Sequence, residues 1–100
     1  MERACAMETV VQEIARMLSP RTIYLYNQKR NPKGEQTSFK LCVIADVADK
    51  GQAERDIYRQ VDCPIPFDVL LYTPREWEQL TADTSTFASR ILQEGTIVYG

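Results

Sequence analysis

Histidine is missing from this 100-residue chain, and that absence removes whole classes of chemistry. Without an imidazole, neither a Ser-His-Asp nor a Cys-His nucleophile system can be built. Cysteine is scarce as well. Cys5, Cys42 and Cys63 are widely spaced and form no C-x-x-C pair, so a structural zinc site is not expected. Reduced thiols in a cytoplasmic protein are their simplest reading, with Cys42 the most buried. Gly34, Gly51, Gly95 and Gly100 are the only glycines. They make neither a G-x-x-x-x-G-K-[ST] phosphate loop nor a G-x-G-x-x-G fingerprint. An enzyme of this composition would have to work with carboxylates, lysines or hydroxyls. No apolar run approaches the roughly 20 residues of a membrane span. Met1-Glu2-Arg3-Ala4-Cys5 leads straight into an amphipathic stretch, without the apolar centre of a signal peptide. No membrane association is expected.

What is present is ordinary for a globular domain: 44% hydrophobic and 26% charged residues, with a formal net charge of −2. That balance offers no global electrostatic case for binding nucleic acid. The length suits one domain.

Apolar residues at Met7, Val10, Val11, Ile14, Ala15 and Leu18 follow the spacing of a helix burying one face, and Ser19-Pro20 ends it. Arg21 to Asn27 alternates as a strand. Gln28 to Thr37 is polar, with the turn sequence Asn31-Pro32-Lys33-Gly34. Phe39 to Ala45 is a second strand, apolar on both faces through Leu41-Cys42-Val43-Ile44, which suggests a central position. Gly51 to Val61 reads as a helix with Ala53, Ile57, Tyr58 and Val61 inward. Phe67 to Tyr72 is a third strand. Thr73-Pro74-Arg75-Glu76 opens a short helix with a capping box. A further helix around Thr86 to Gln93 packs Phe87, Ile91 and Leu92 and ends at Gly95, and Thr96 to Tyr99 closes as a strand. The order α-β-β-α-β-α-α-β points to a single α+β or α/β domain, a mixed sheet of about four strands packed with helices. Strand pairing stays open at this point.

Several phrases carry a resemblance. They are Ile23-Tyr24-Leu25-Tyr26-Asn27-Gln28, then the polar loop Lys29 to Glu35, then Thr37-Ser38-Phe39-Lys40-Leu41-Cys42-Val43-Ile44. Later come Phe67-Asp68-Val69-Leu70-Leu71-Tyr72-Thr73-Pro74-Arg75-Glu76-Trp77, and Ile91-Leu92-Gln93-Glu94-Gly95-Thr96-Ile97-Val98-Tyr99. Their order and spacing resemble the minimal nucleotidyltransferases of the DNA polymerase β-like superfamily across nearly the whole chain. In that family a Gly-Ser turn after the first strand holds nucleotide phosphates. Two alternating aspartates on the second strand and one on the third hold two Mg²⁺ ions, which stabilise the attacking and leaving oxygens. Here Asn27 and Gln28 occupy the Gly-Ser position, Ser38 and Lys40 the two aspartate positions, and Asp68 matches the third. Shifting the register by one puts Phe39 and Leu41 at the ligand positions. The resemblance therefore implies a nucleotidyltransferase fold without an intact catalytic or metal site, acting as a nucleotide- or protein-binding module. It also implies a partner, because minimal nucleotidyltransferases are often paired with a HEPN-type helical protein in toxin–antitoxin modules. Two other readings stand beside it: an active Mg²⁺-dependent transferase built on Asp68, Glu35 and Ser38, and a homo-oligomeric structural protein.

Lys40 and Asp68 are expected on adjacent strands, facing one side and paired with each other. Lys29, Arg30, Lys33 and Lys40 form a basic cluster, read first as a solvated loop and second as a phosphate- or RNA-binding patch. Tyr24, Tyr26 and Tyr72 are read as sheet packing, and Trp77 as half-buried core.

Overall fold

A computed structural model describes residues Ala6 to Gly100, and Cys5 lies outside the described residues. The elements are α1 (Ala6–Leu18), β1 (Thr22–Arg30), β2 (Gln36–Ile44), α2 (Lys50–Gln60), β3 (Phe67–Tyr72), α3 (Pro74–Thr81), α4 (Phe87–Glu94) and β4 (Thr96–Tyr99). The strands form one mixed sheet in the order β3-β2-β1-β4, with β2 and β3 parallel and the other neighbours antiparallel. The fold is a single α+β domain.

Alternation along the strands sorts the core into two layers. On the first face, Ile23, Phe39, Leu41, Val43, Val69 and Leu71 pack with Val10, Val11 and Ile14 of α1 and with Ala53 and Ile57 of α2. On the second face, Tyr24, Cys42 and Ile44 pack with Trp77, Ala88 and Ile91 from α3 and α4. Covering on both sides explains the apolar run in β2. Each large aliphatic side chain so buried stabilises the fold by about 1.5–3 kcal/mol against exposure.

Local signals end the elements where the chain turns. Ser19 adopts a left-handed φ of 46° after α1, and the following proline prevents helical continuation. Asn31 Oδ1 accepts from the backbone N–H groups of Lys33 (2.9 Å) and Glu35 (3.0 Å), while Gly34 takes a φ of 84°. That Asx-type turn closes the β1–β2 hairpin. Thr73 Oγ1 accepts from the Glu76 N–H at 3.2 Å, and Glu76 Oε1 accepts from the Thr73 N–H at 2.9 Å, completing the capping box of α3. Gly95 lies where α4 meets β1: an added Cβ would come within 2.6 Å of the Ile91 carbonyl oxygen. Only glycine fits there.

Several side chains sit differently from their sequence expectation. Trp77 is buried rather than half-buried, against Tyr24 and Tyr72 at ring-centroid distances of 5.3 and 5.6 Å. Phe87 and Leu92 are exposed, because α4 turns Ala88, Ser89 and Ile91 inward instead. Tyr58 is exposed too. Its hydroxyl accepts the Val69 N–H at 2.8 Å, satisfying a donor of the edge strand β3.

Candidate functional site

The helices α3 and α4 cover only part of the second face. Beyond them, toward the β1–β2 hairpin, the same face of the sheet becomes polar. Asn27 is the register partner of Lys40, and Lys40 of Asp68, so one row of three side chains crosses β1, β2 and β3. Lys29 opposite Ser38 forms the next row. A cleft of about 230 Å³ is lined by these five residues with Phe39, Pro66 and Phe67.

A β-bulge composes this set. Leu25 pairs with Leu41, but Asn27 pairs with Lys40, so the ladder slips at Tyr26. The slip reverses the facing of the rest of β1. Tyr26 stays with the second-face core, and Asn27 and Lys29 then turn to the cleft. Gln28 is carried to the opposite face, where its Oε1 accepts from Gln36 Nε2 at 2.8 Å. Of the sequence-derived residues, Asn27, Ser38, Lys40 and Asp68 therefore come together and Gln28 does not. Lys29, expected in a basic cluster with Lys40, joins them, whereas Arg30 and Lys33 of that cluster do not line the cleft. The match to a two-residue turn treats Asn27 and Gln28 as one unit, but on a strand adjacent side chains face opposite ways, so only Asn27 reaches the cleft.

The expected Lys40–Asp68 ion pair is absent. Ion pairs among the described residues join Glu13 to Arg16, Arg21 to Glu78 at 3.7 Å and Lys50 to Glu76 at 2.9 Å. Lys40 and Asp68 share a face and a register but both are exposed. Water solvates each, and an exposed pair gains too little to hold two side chains together. Glu35 does not reach Asp68 either. Its carboxylate accepts from Asn31 Nδ2 at 2.9 Å, and it lines a separate cavity of about 600 Å³ of mixed polar and apolar character with Thr9, Gln36, Ile65 and others. Arg30 is engaged within the hairpin, donating to the Gly34 carbonyl at 2.7 Å.

The donor set at the cleft does not fit the Mg²⁺ ions that the resemblance implies. Divalent magnesium needs converging oxygen ligands, chiefly carboxylates, and Asp68 is the one carboxylate among the lining residues. Two ammonium groups share that lining and repel a divalent cation. Among the described residues, no three His, Cys, Asp or Glu side chains gather within reach of a common metal.

At the neighbouring end of the same face, covered by α3 and α4, Cys42 is fully buried, and burial pushes its thiol up to about 12. It is protonated and unreactive at neutral pH. Tyr26 is raised above its ordinary value by burial first, with smaller contributions from Cys42 and Asp68. No helix among the described residues is long and apolar enough to cross a membrane.

Comparison with known proteins adds no family: no protein-family model matches the chain, and no curated protein or solved structure matches it at a significant level.

Proposed function

We propose that this chain is a nucleotidyltransferase-like domain without catalysis, which serves as a binding module and takes a nucleotide at the cleft between β1, β2 and β3. The observation that supports this reading is the composition of one row. Asn27, Lys40 and Asp68 stand side by side on one face at the open end of the sheet, with Ser38 and Lys29 in the next row. A two-metal transferase needs paired oxygen ligands to steady both the attacking and the leaving oxygen. A lysine between an asparagine and a lone aspartate cannot supply them, yet the row keeps donors suited to a phosphorylated ligand.

The test is calorimetric titration with ATP, CTP, GTP and UTP, alongside a transfer assay using labelled nucleotide and Mg²⁺. Saturable binding of one nucleotide without label transfer is the expected result. Label transfer to any acceptor would overturn the loss of catalysis, and no saturable binding of any nucleotide would overturn the ligand.

A second reading rests on a different surface. Phe87, Leu92 and Ile97, on the consecutive elements α4 and β4, are 50%, 44% and 56% exposed. Such side chains favour a protein partner, whether a helical protein or a second copy of the chain. Light scattering across a concentration series separates the two: a concentration-dependent dimer supports the second copy, and a strict monomer excludes it.

A further inference from the structure

We infer that the cleft is a metal-independent phosphate clamp, for which Mg²⁺ is a competitor and not a cofactor. This rests on the reading of the cleft as a nucleotide site and specifies the form of nucleotide it takes: the free polyphosphate, not the magnesium chelate.

The bulge at Tyr26 is what places a second lysine here. Without the slip, Lys29 would sit on the opposite face of the sheet and Lys40 would stand alone beside Asp68. With it, Lys29 and Lys40 occupy diagonal positions on antiparallel neighbours, about 7–8 Å apart at the backbone. Two flexible four-carbon stems span such a gap easily and can bring both ammonium groups to one phosphate. Neither lysine is committed to an ion pair. Ser38 and Asn27, the residues opposite Lys29 and Lys40, add a hydroxyl and a carboxamide that can donate to the remaining oxygens.

The charge balance of the lining sets the selectivity. With two ammonium groups and one carboxylate, the lining carries one excess positive charge, enough to attract a polyanion but not a cation. Binding Mg²⁺ neutralises two charges of a triphosphate and occupies the oxygens that the lysines would contact. The chelate also brings a divalent ion against Lys40. Both effects weaken the complex with this cleft, whereas at a carboxylate-lined site the same ion would bridge protein and phosphate.

The test is titration of the full chain with ATP, tripolyphosphate and inorganic phosphate at low ionic strength, once in EDTA and once in excess Mg²⁺. ATP and tripolyphosphate should bind in EDTA, with affinity falling about tenfold when Mg²⁺ is added, the scale of one charge-assisted hydrogen bond. Lys40→Gln and Lys29→Gln should each weaken metal-free binding about as much, and Lys33→Gln, a loop lysine outside the cleft, should leave it unchanged. Both cleft lysines are exposed, so unaltered melting checks that the variants fold. Tighter binding with Mg²⁺ than without overturns the clamp while leaving the nucleotide reading intact. Equal binding of ATP and tripolyphosphate in EDTA keeps the clamp and removes the nucleoside from that reading. A loss for Lys33→Gln equal to that of the cleft variants overturns the clamp, since binding would then follow general surface charge.

Discussion

The second face of the sheet has two ends built on the same strands, and they obey different rules. At one end Tyr24, Cys42 and Ile44 lie beneath Trp77, Ala88 and Ile91. At the other, two residues along β2, Lys40 stands between Asn27 and Asp68 with no helix above it. β2 passes from a fully buried thiol to an exposed ammonium in one side-chain repeat. The covered end holds the fold together and tolerates little. The open end, with its charged side chains exposed, contributes little to stability.

Truncating the covered end should produce the largest effect. Trp77→Ala removes the side chain that joins α3 to Tyr24 and Tyr72, and should cost about 3–5 kcal/mol in denaturant unfolding. A cost near that of a surface substitution would mean that α3 does not anchor the second face, and the contrast between the two ends would collapse. Gly95→Ala probes the same end through the backbone. Its Cβ would press on the Ile91 carbonyl oxygen, and relieving that overlap should cost about 1–3 kcal/mol.

Between the ends in size comes the start of α3. Thr73→Ala removes the side-chain acceptor of the capping box and should cost about 0.5–2 kcal/mol. The reciprocal carboxylate has a pH signature. Glu76 is held below its ordinary value of 4.5, first by the Thr73 N–H and then by Lys50. A lowered folded-state pKa adds stability above the unfolded value, and that stability is lost as pH falls through the folded one. Stability should therefore decline as pH drops below about 4.5. Glu76→Gln should show a shallower decline over that interval, and a parallel curve would mean the pairing is lost in solution.

Most of the architecture was legible because it depends on local rules. The spacing from Met7 to Leu18, the capping box at Thr73 and the apolar run through Leu41 and Val43 each correspond to an observed element. The candidate cleft was legible in β2 and β3, where regular alternation puts Ser38, Lys40 and Asp68 on one face. It was not legible in β1. There the slip at Tyr26 exchanges Gln28 for Lys29, and nothing in the order of residue types announces an inserted position. The Lys40–Asp68 pair does not form, for another reason. Sequence indicates adjacency, but whether two charges join depends on how much water reaches them, and both are exposed.

The smallest effect on stability, and the sharpest probe of the open end, should come from rebuilding its acidic row. Ser38→Asp with Lys40→Asp places two carboxylates beside Asp68 on one face of adjacent strands. Like charges at cross-strand neighbours repel, so the apo variant should lose only about 0.2–1 kcal/mol. Three converging carboxylates then form the oxygen-rich set that a hard divalent cation requires. A ligand that binds only the folded state raises the melting temperature in proportion to ln(1 + [L]/Kd). Millimolar Mn²⁺ or Mg²⁺ should therefore raise the melting temperature of the double variant and leave that of the unmodified chain unchanged. A rise in the variant alone would mean that strand geometry still suits a metal and that two side chains keep it out. No rise in either would mean that the backbone at this end cannot converge three carboxylates. The likeness to a two-metal site would then be one of sequence position only.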